Sequence, residues 1–95
     1  KMIIVAGPIY LDPAERGAYL DGCQEVIAAA RAADGCVDFH LAADPIEDDR
    51  INVFERWETV AAVEAFRGSG TSGEQAAAIR DAAVMQFEVA SATPL

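Results

Sequence analysis

Polar side chains interrupt an apolar stretch in the middle of the chain, at Arg50–Glu58 with the sequence RINVFERWE. Burying an amide or a charged group in a strand costs free energy unless the group finds a partner. The amide of Asn52 could stabilise an oxyanion that develops during a reaction, or could simply hydrogen-bond at a strand edge or an interface. We interpret Glu55 and Arg56 as members of interface or surface ion pairs in preference to catalysts.

Four further side chains are candidates because of their chemistry. Trp57, the single tryptophan of the chain, either packs in the core or lines a pocket, and its indole N–H needs an acceptor in both cases. His40 has the intrinsic pKa of a general base, and is otherwise a structural histidine with a satisfied hydrogen bond. Tyr10 and Arg67 are candidates for the border of a pocket mouth.

Several classes of function are excluded or disfavoured by the sequence. It contains no Ser-His-Asp order, phosphate-binding loop, dinucleotide fingerprint or zinc-ligand spacing. Cys23 and Cys36 are too few for a disulfide scaffold, so we predict two buried thiols in preference to a disulfide between them. The formal charge of −9 argues against nucleic acid and against anionic membrane surfaces as partners.

The apolar start of the chain, Met2–Leu11, lacks the charged region and the cleavage site of a signal sequence. A folded strand explains it better, and we expect a cytoplasmic protein that does not associate with membranes. Met2 is the expected natural start, which makes Lys1 an extraneous residue. The 95 residues are enough for one domain, which we assign to residues 2–95.

Hydrophobic periodicity divides the chain into four strands and three helical segments. The predicted strands are Met2–Leu11, Cys36–Ala43, Arg50–Glu58 and Val84–Ala92, and the predicted helical segments are residues 12–35, 60–67 and 72–83. Met2–Leu11 is apolar at both alternating sets of positions, so we expect it to be covered on both faces. Asp12 and Pro13 supply a helix start, and Gly35 supplies a helix end.

The order β-α-β-β-α-β predicts the split βαβ, or ferredoxin-like, arrangement of an α+β protein with an antiparallel sheet. Its second helix is broken at Gly68–Gly73, a glycine-rich joint that is either a lid over a pocket or a linker. Helices can cover only one face of such a sheet, and a domain this small has a marginal core of its own. We therefore predict that the other face packs against a second copy in a symmetric homodimer.

Three segments, in their order and spacing, resemble a known family: MIIVAG, ARAADGCVDFHLAADP, and RINVFERWET followed after six residues by Phe66. They are similar to the antibiotic biosynthesis monooxygenase domain, a branch of the dimeric α+β barrel proteins, from Met2 to about Ala92. The resemblance implies a homodimer whose sheets form a barrel, with a pocket between sheet and helices in each subunit. Characterised members include enzymes that oxygenate polycyclic phenols or quinols with dioxygen and without metal or flavin, and other branches degrade haem or act on small signalling molecules.

The same resemblance implies functional residues. Asn52 and Trp57 match positions implicated in oxygenation, so we expect the catalytic residues to be Asn52 and Trp57. Substrate contacts are expected from His40, Tyr10, Phe66 and Arg67, with Phe66 standing where many relatives have a histidine. A spacing of five residues puts Asn52 and Trp57 on opposite faces of a regular strand, unless a bulge or the strand end intervenes.

The leading hypothesis from the sequence is a monooxygenase that acts without a cofactor on a small aromatic phenol or quinol, with dioxygen as co-substrate. The alternative is a non-catalytic barrel dimer that binds a ligand or serves as a scaffold. A third function, haem degradation, is disfavoured. The haem-degrading branch uses an asparagine on the first strand and a histidine after the tryptophan, where this chain has AGPIY and Arg67.

Overall fold

The chain forms one antiparallel sheet with helices against one of its faces. The computed structural model describes residues 1–68 and 77–95. Its strands are β1 (Ile3–Leu11), β2 (Cys36–Ala43), β3 (Arg50–Trp57), β4 (Ile79–Ala82) and β5 (Met85–Glu88). Its helices are α1 (Arg16–Gly22), α2 (Gln24–Ala32) and α3 (Val60–Arg67), with a 3-10 turn at Pro13–Glu15. No helix in the described ranges is long and apolar enough to cross a membrane.

The strand order is β2-β3-β1, with β4 and β5 both paired to the remaining edge of β1. β4 pairs with the end of β1 at Ile9, Tyr10 and Leu11, and β5 pairs with its start, from Ile3 to Ala6. All of these pairings are antiparallel. The predicted ferredoxin-like α+β fold is therefore confirmed, with its last strand in two pieces.

The break between β4 and β5 lies opposite Gly7 in β1. Gly7 has a φ of +147°, and a Cβ at this position would collide with the carbonyl oxygen of Ala83 and lie 2.8 Å from the Cα of Val84. The N–H of Ala83 donates to the carbonyl of Pro8 at 2.9 Å. Only glycine combines this backbone angle with such a close approach of a second chain segment.

The first predicted helical segment, residues 12–35, is divided. Its start is confirmed, because Asp12 Oδ1 accepts a hydrogen bond from the N–H of Ala14 at 2.9 Å. At Cys23 the helix tightens, since the N–H of Cys23 bonds to the carbonyl of Leu20 three residues earlier, and α2 begins after it. Gly35 has the expected positive φ, at +80°, but it lies in the turn into β2, beyond the end of α2.

The last predicted helical segment, residues 72–83, is wrong at its C-terminal end. Residues 77 and 78 are helical, but Ile79–Ala82 is strand β4 and pairs with β1. The open edge of β1 offers backbone hydrogen bonds to this short segment, and tertiary pairing overrides weak helical periodicity. The start of this helix and the predicted joint at Gly68–Gly73, apart from Gly68 itself, lie outside the described residues.

The start of β2 also departs from the prediction. The register with β3 shifts between Cys36 and Asp38, which leaves Val37 43% exposed instead of on the apolar face. Neither cysteine forms a disulfide, as predicted; Cys23 is buried as expected, whereas Cys36 is only half-buried beside this bulge.

The two faces of the sheet have different surroundings. The side toward the helices carries the core, which includes Ile3, Val5, Ile9, Leu11, Phe39, Ile51, Val53 and Trp57. The opposite side, called here the outer face, carries Ile4, Ala6, Phe54, Met85 and Phe87, placed there by the pairing registers. β1 is therefore apolar on both faces, as its sequence predicts. On the outer face of this single chain, Met85 is 60% and Phe87 46% exposed.

Asp44 organises the turn between β2 and β3. Its Oδ2 accepts hydrogen bonds from the N–H groups of Ile46 and Glu47, at 3.0 and 2.9 Å, and its Oδ1 accepts from the Asn52 amide at 2.9 Å. These bonds, with that from Glu47 the strongest influence, lower the pKa of Asp44 to about 2. Arg50 Nε in turn donates to the Asn52 oxygen at 2.6 Å, so both ends of the Asn52 amide are engaged.

We expect Gly7→Ala to destabilise the protein by about 2–4 kcal/mol, because the new methyl group adds both a strained backbone angle and a steric clash. Gly17→Ala is the matched control. Gly17 lies exposed in α1 with nothing within 4 Å of an added Cβ, so alanine should stabilise by about 0.4–1 kcal/mol. Urea unfolding of both variants measures the difference, and equal stability would contradict this account of Gly7.

Asn52→Ala removes one of the three hydrogen bonds that the Asp44 carboxylate accepts, so the pKa of Asp44 should rise. We expect the melting temperature at pH 7 to fall by about 2–6 °C. The folded-state pKa of Asp44 is lower than its ordinary value of 3.8. Its contribution to stability is therefore present above that value and lost as the pH falls toward 2. Thermal unfolding at pH 7 and at pH 2.5 should show a smaller difference from wild type at the acidic pH.

Candidate functional site

A cavity of about 380 Å³ lies between the helix-facing side of the sheet and the three helices. This volume falls in the range of small-molecule binding sites. Most of its wall is apolar or aromatic, and the lining side chains are Tyr19, Cys23, Val26, Ala29, Phe39, Leu41, Val53, Glu55, Phe66 and Arg67. The cavity thus draws on α1, α2, α3 and the two strands at one side of the sheet.

Glu55 brings a carboxylate into this apolar wall. It lies on β3 between Val53 and Trp57 on the same side of the strand, because side chains alternate between the faces. The indole N–H of Trp57 donates to Glu55 Oε1 at 3.0 Å. Burial raises the pKa of Glu55, while the hydrogen bond from Trp57 and the charge of Arg67 act in the opposite direction.

Trp57 stands behind the cavity wall. Its side chain is fully buried, and its ring centroid lies 5.4 Å from that of Phe66 and 6.5 Å from that of Phe39. Phe39 and Phe66 themselves make an edge contact at 5.7 Å. The two phenylalanines line the cavity, so the tryptophan supports the aromatic wall and holds the Glu55 carboxylate.

Two more polar groups reach the cavity from the helices. Arg67, in the last turn of α3, donates from Nη1 to Gln86 Oε1 of β5 at 3.0 Å. Tyr19, in α1, is buried, and this burial together with the nearby Cys23 raises the pKa of its phenol to about 12. Tyr19 therefore stays neutral at physiological pH, and Arg67 supplies a positive charge to the same wall.

The structure brings together two of the six predicted site residues, since Phe66 and Arg67 both line the cavity. Asn52 and Tyr10 lie on the outer face, opposite Pro8 and Arg50 in the β1–β3 register. His40 is also on that face, stacked on Phe54 with ring centroids 5.3 Å apart. Trp57 does not line the cavity, but it contacts the lining residues Glu55, Phe39 and Phe66. No bulge interrupts the pairing of β3 with β1, so Asn52 and Trp57 point to opposite faces.

The sequence did not predict Glu55 as a site residue. We interpreted it as a member of an interface or surface ion pair, whereas the structure places it in the cavity wall. The available signal was its spacing from Trp57. Two residues along a strand return to the same face, so a buried Trp57 implies an inward Glu55. Among residues 1–68 and 77–95, no three His, Cys, Asp or Glu side chains converge as a metal-binding group would.

Known structures share this fold over nearly the whole chain. PA3566 from Pseudomonas aeruginosa is 19% identical, with a TM-score of 0.82 and 95% of each chain covered. Rv0793 from Mycobacterium tuberculosis is 22% identical, with a TM-score of 0.80 over 99% of this chain and 100% of its own. A protein from Deinococcus radiodurans, described provisionally as an antibiotic biosynthesis monooxygenase, is 15% identical, with a TM-score of 0.84 and coverages of 98% and 97%.

No curated protein matches the chain in sequence. The family model for antibiotic biosynthesis monooxygenase, in contrast, matches residues 2–82, which include β1 to β4 and the residues that line the cavity. The sheet order and the three solved structures agree with this match. We conclude that this chain belongs to the antibiotic biosynthesis monooxygenase family.

Proposed function

We propose that the protein is a monooxygenase that oxygenates a small aromatic phenol or quinol in the cavity, with no metal or flavin taking part. The observation that carries this proposal is the cavity itself. It has the volume of a small-molecule site, aromatic rings from Phe39 and Phe66 in its wall, and two groups of opposite charge, Glu55 and Arg67. An aromatic molecule with an ionisable hydroxyl complements such a wall in shape, polarity and charge.

The proposed chemistry uses the substrate as its own reductant. The hydroxyl of the substrate loses its proton, and the resulting anion gives one electron to dioxygen. The substrate radical and superoxide then combine, forming a C–O bond at a ring carbon that bears hydrogen. The peroxide takes up a proton and loses water, which leaves a carbonyl on that carbon. One oxygen atom ends in the product and the other in water, so no external electron donor is needed.

The protein assists this sequence by binding the anionic form of the substrate in an apolar environment. Charge interactions are stronger beside an apolar wall than in water, and the guanidinium of Arg67, which lines the cavity from the exposed end of α3, provides the counter-charge for a substrate oxyanion. The apolar wall also keeps water away from the radical and peroxide intermediates. Phe39 and Phe66 hold the ring in place by contact with its face or edge.

We expect the purified protein to consume dioxygen with at least one member of a panel of hydroquinones and anthrones, in an oxygen-electrode assay. Activity should persist after treatment with a chelator, because the substrate supplies the electrons. Uptake that is abolished by chelation would exclude the cofactor-free mechanism. Saturable binding of panel members without any uptake would instead identify a ligand-binding protein.

Phe66→Leu tests the location of the active site in the same assay. Loss of the aromatic contact should raise the KM by about 2–10-fold with a smaller change in kcat, because the ring is bound alike in ground and transition states. Phe54→Leu is the matched control, since Phe54 lies on the outer face. If both substitutions change the KM equally, the substrate does not bind in the cavity.

We also propose that the protein acts as a homodimer, formed by the outer faces of two sheets. Ile4, Phe54, Met85 and Phe87 give this face an apolar centre, and two of these side chains are substantially exposed in the single chain. Helices α1, α2 and α3 lie on the opposite side of the sheet, so these three helices cannot cover it. A second copy of the same face would bury these residues with two-fold symmetry.

Phe87→Glu should convert the dimer into a monomer, because it would bury two carboxylates without partners at the symmetric interface. Light scattering should then fall from twice the chain mass to the 10.1 kDa of one chain. Ile46→Glu is the control; Ile46 is 89% exposed in the turn before β3 and lies away from this face. A wild-type protein that is monomeric at micromolar concentration would contradict the proposal.

A further inference from the structure

Glu55 is positioned as a base would be, although it has no assigned role in the family resemblance. Among the described residues that line the cavity, it alone carries a carboxylate. The indole of Trp57 engages Oε1, and no hydrogen bond from the described part of the chain reaches Oε2. One oxygen is thus held in place while the other is open to a ligand. A fixed orientation of this kind is what general-base catalysis requires.

The energetic difficulty in the proposed reaction is the first proton transfer. A phenol has a pKa near 10, whereas an ordinary glutamate titrates several units lower, so transfer from one to the other is unfavourable in water. Two features of the cavity reduce this difference. Burial raises the pKa of Glu55 and makes it a stronger base. Arg67, on the same wall, stabilises the oxyanion that remains on the substrate.

We propose that Glu55 is the proton acceptor of the reaction and that Arg67 is the counter-ion of the substrate oxyanion. The inference rests on the proposed function and narrows its substrate class to planar aromatics with two oxygen substituents. One is an ionisable hydroxyl that donates to Glu55 Oε2, and the other is an oxygen that accepts from Arg67. The O–H bond breaks, its proton moves to Oε2, and its electron pair delocalises into the ring. The same proton later returns to the peroxide, which restores the carboxylate.

Trp57 is the positioning residue in this scheme. Its N–H fixes Oε1 and, because it donates to the ionised form, limits how far the pKa of Glu55 rises.

Other titratable or charged groups face Glu55 from the surrounding elements: Tyr19 from α1, Cys23 after it, Cys36 from β2 and Arg67 from α3. The pKa of Tyr19 is raised to about 12, and burial and the charges of Asp38 and Glu55 raise that of Cys36. Neither group titrates between pH 5 and 8.

Glu55→Gln tests the assignment, because glutamine keeps an acceptor for the Trp57 N–H but cannot take up a proton. Oxygen uptake with a reactive panel member should show a kcat about 100–10,000-fold lower than wild type and a KM changed by less than about threefold. The wild-type rate should rise with pH through the pKa of Glu55, and this dependence should be absent in the variant. Glu58→Gln, which removes an exposed carboxylate just after β3, should behave as wild type.

Two measurements separate this inference from the proposed function. Under nitrogen, a hydroquinone of the panel bound to wild type should show the absorption band of its anion, and the same hydroquinone bound to the Glu55→Gln variant should remain neutral. The emission of Trp57, the single tryptophan, should titrate in the free wild-type protein and not in the variant. Cys23 is present in both proteins, so its thiol cannot cause a difference between their fluorescence titrations.

The outcomes are distinct. Anion formation in wild type without oxygen uptake would overturn the monooxygenase proposal and still support Glu55 as the proton acceptor. Oxygen uptake with equal kcat and equal pH dependence in wild type and Glu55→Gln would overturn the role of Glu55 and leave the monooxygenase proposal intact. A wild-type protein that ionises no member of the panel would overturn the inference.

Discussion

Strand β3 has a hydrogen-bonded neighbour on each side, and its two-residue period decides which side chains reach which face of the sheet. The pairing with β1 runs without a shift from Trp57 to Arg50. A slip of one residue would exchange the two sets of side chains. Glu55 would leave the cavity, and the Asn52 amide would enter the core without its partner Asp44. The core, the turn and the site therefore depend on the same register.

The half-buried carboxylate of Glu55 lowers the stability of the fold. An apolar residue in the same place would avoid the desolvation of a charged group. The folded-state pKa of Glu55 lies above its ordinary value of 4.5. Its contribution to stability is consequently greatest below that pH and is lost as the pH rises through the folded-state pKa. Residues kept at such a cost are found most often at functional sites, where stability is given up for reactivity.

The order of elements follows largely from the sequence, because the signals involved are local. Helix caps illustrate this, because a capping side chain lies next to the backbone it binds: Asp12 precedes the first helical segment, and its carboxylate accepts the N–H of Ala14 at 2.9 Å. Ile79–Ala82 shows the opposite case. Its one large apolar residue, Ile79, fits a helix or a strand equally well. The segment forms a strand because the edge of β1 offers it backbone hydrogen-bonding groups. The exposure of Val37 likewise could not be predicted locally, because it results from a bulge in the pairing of β2 with β3.

The sequence by itself determined the fold class, the apolar character of both faces of β1, and the opposite orientations of Asn52 and Trp57. It could not determine which of these two pointed toward the helices, because β3 carries an aromatic or aliphatic residue on each face, with Phe54 on one and Val53 on the other. Only the packing of the helices against one side of the sheet decided that Glu55 belongs to the cavity. An alternating sequence pattern indicates which side chains of a strand share a face. It does not indicate which face the helices cover, because that depends on contacts between elements distant in the chain.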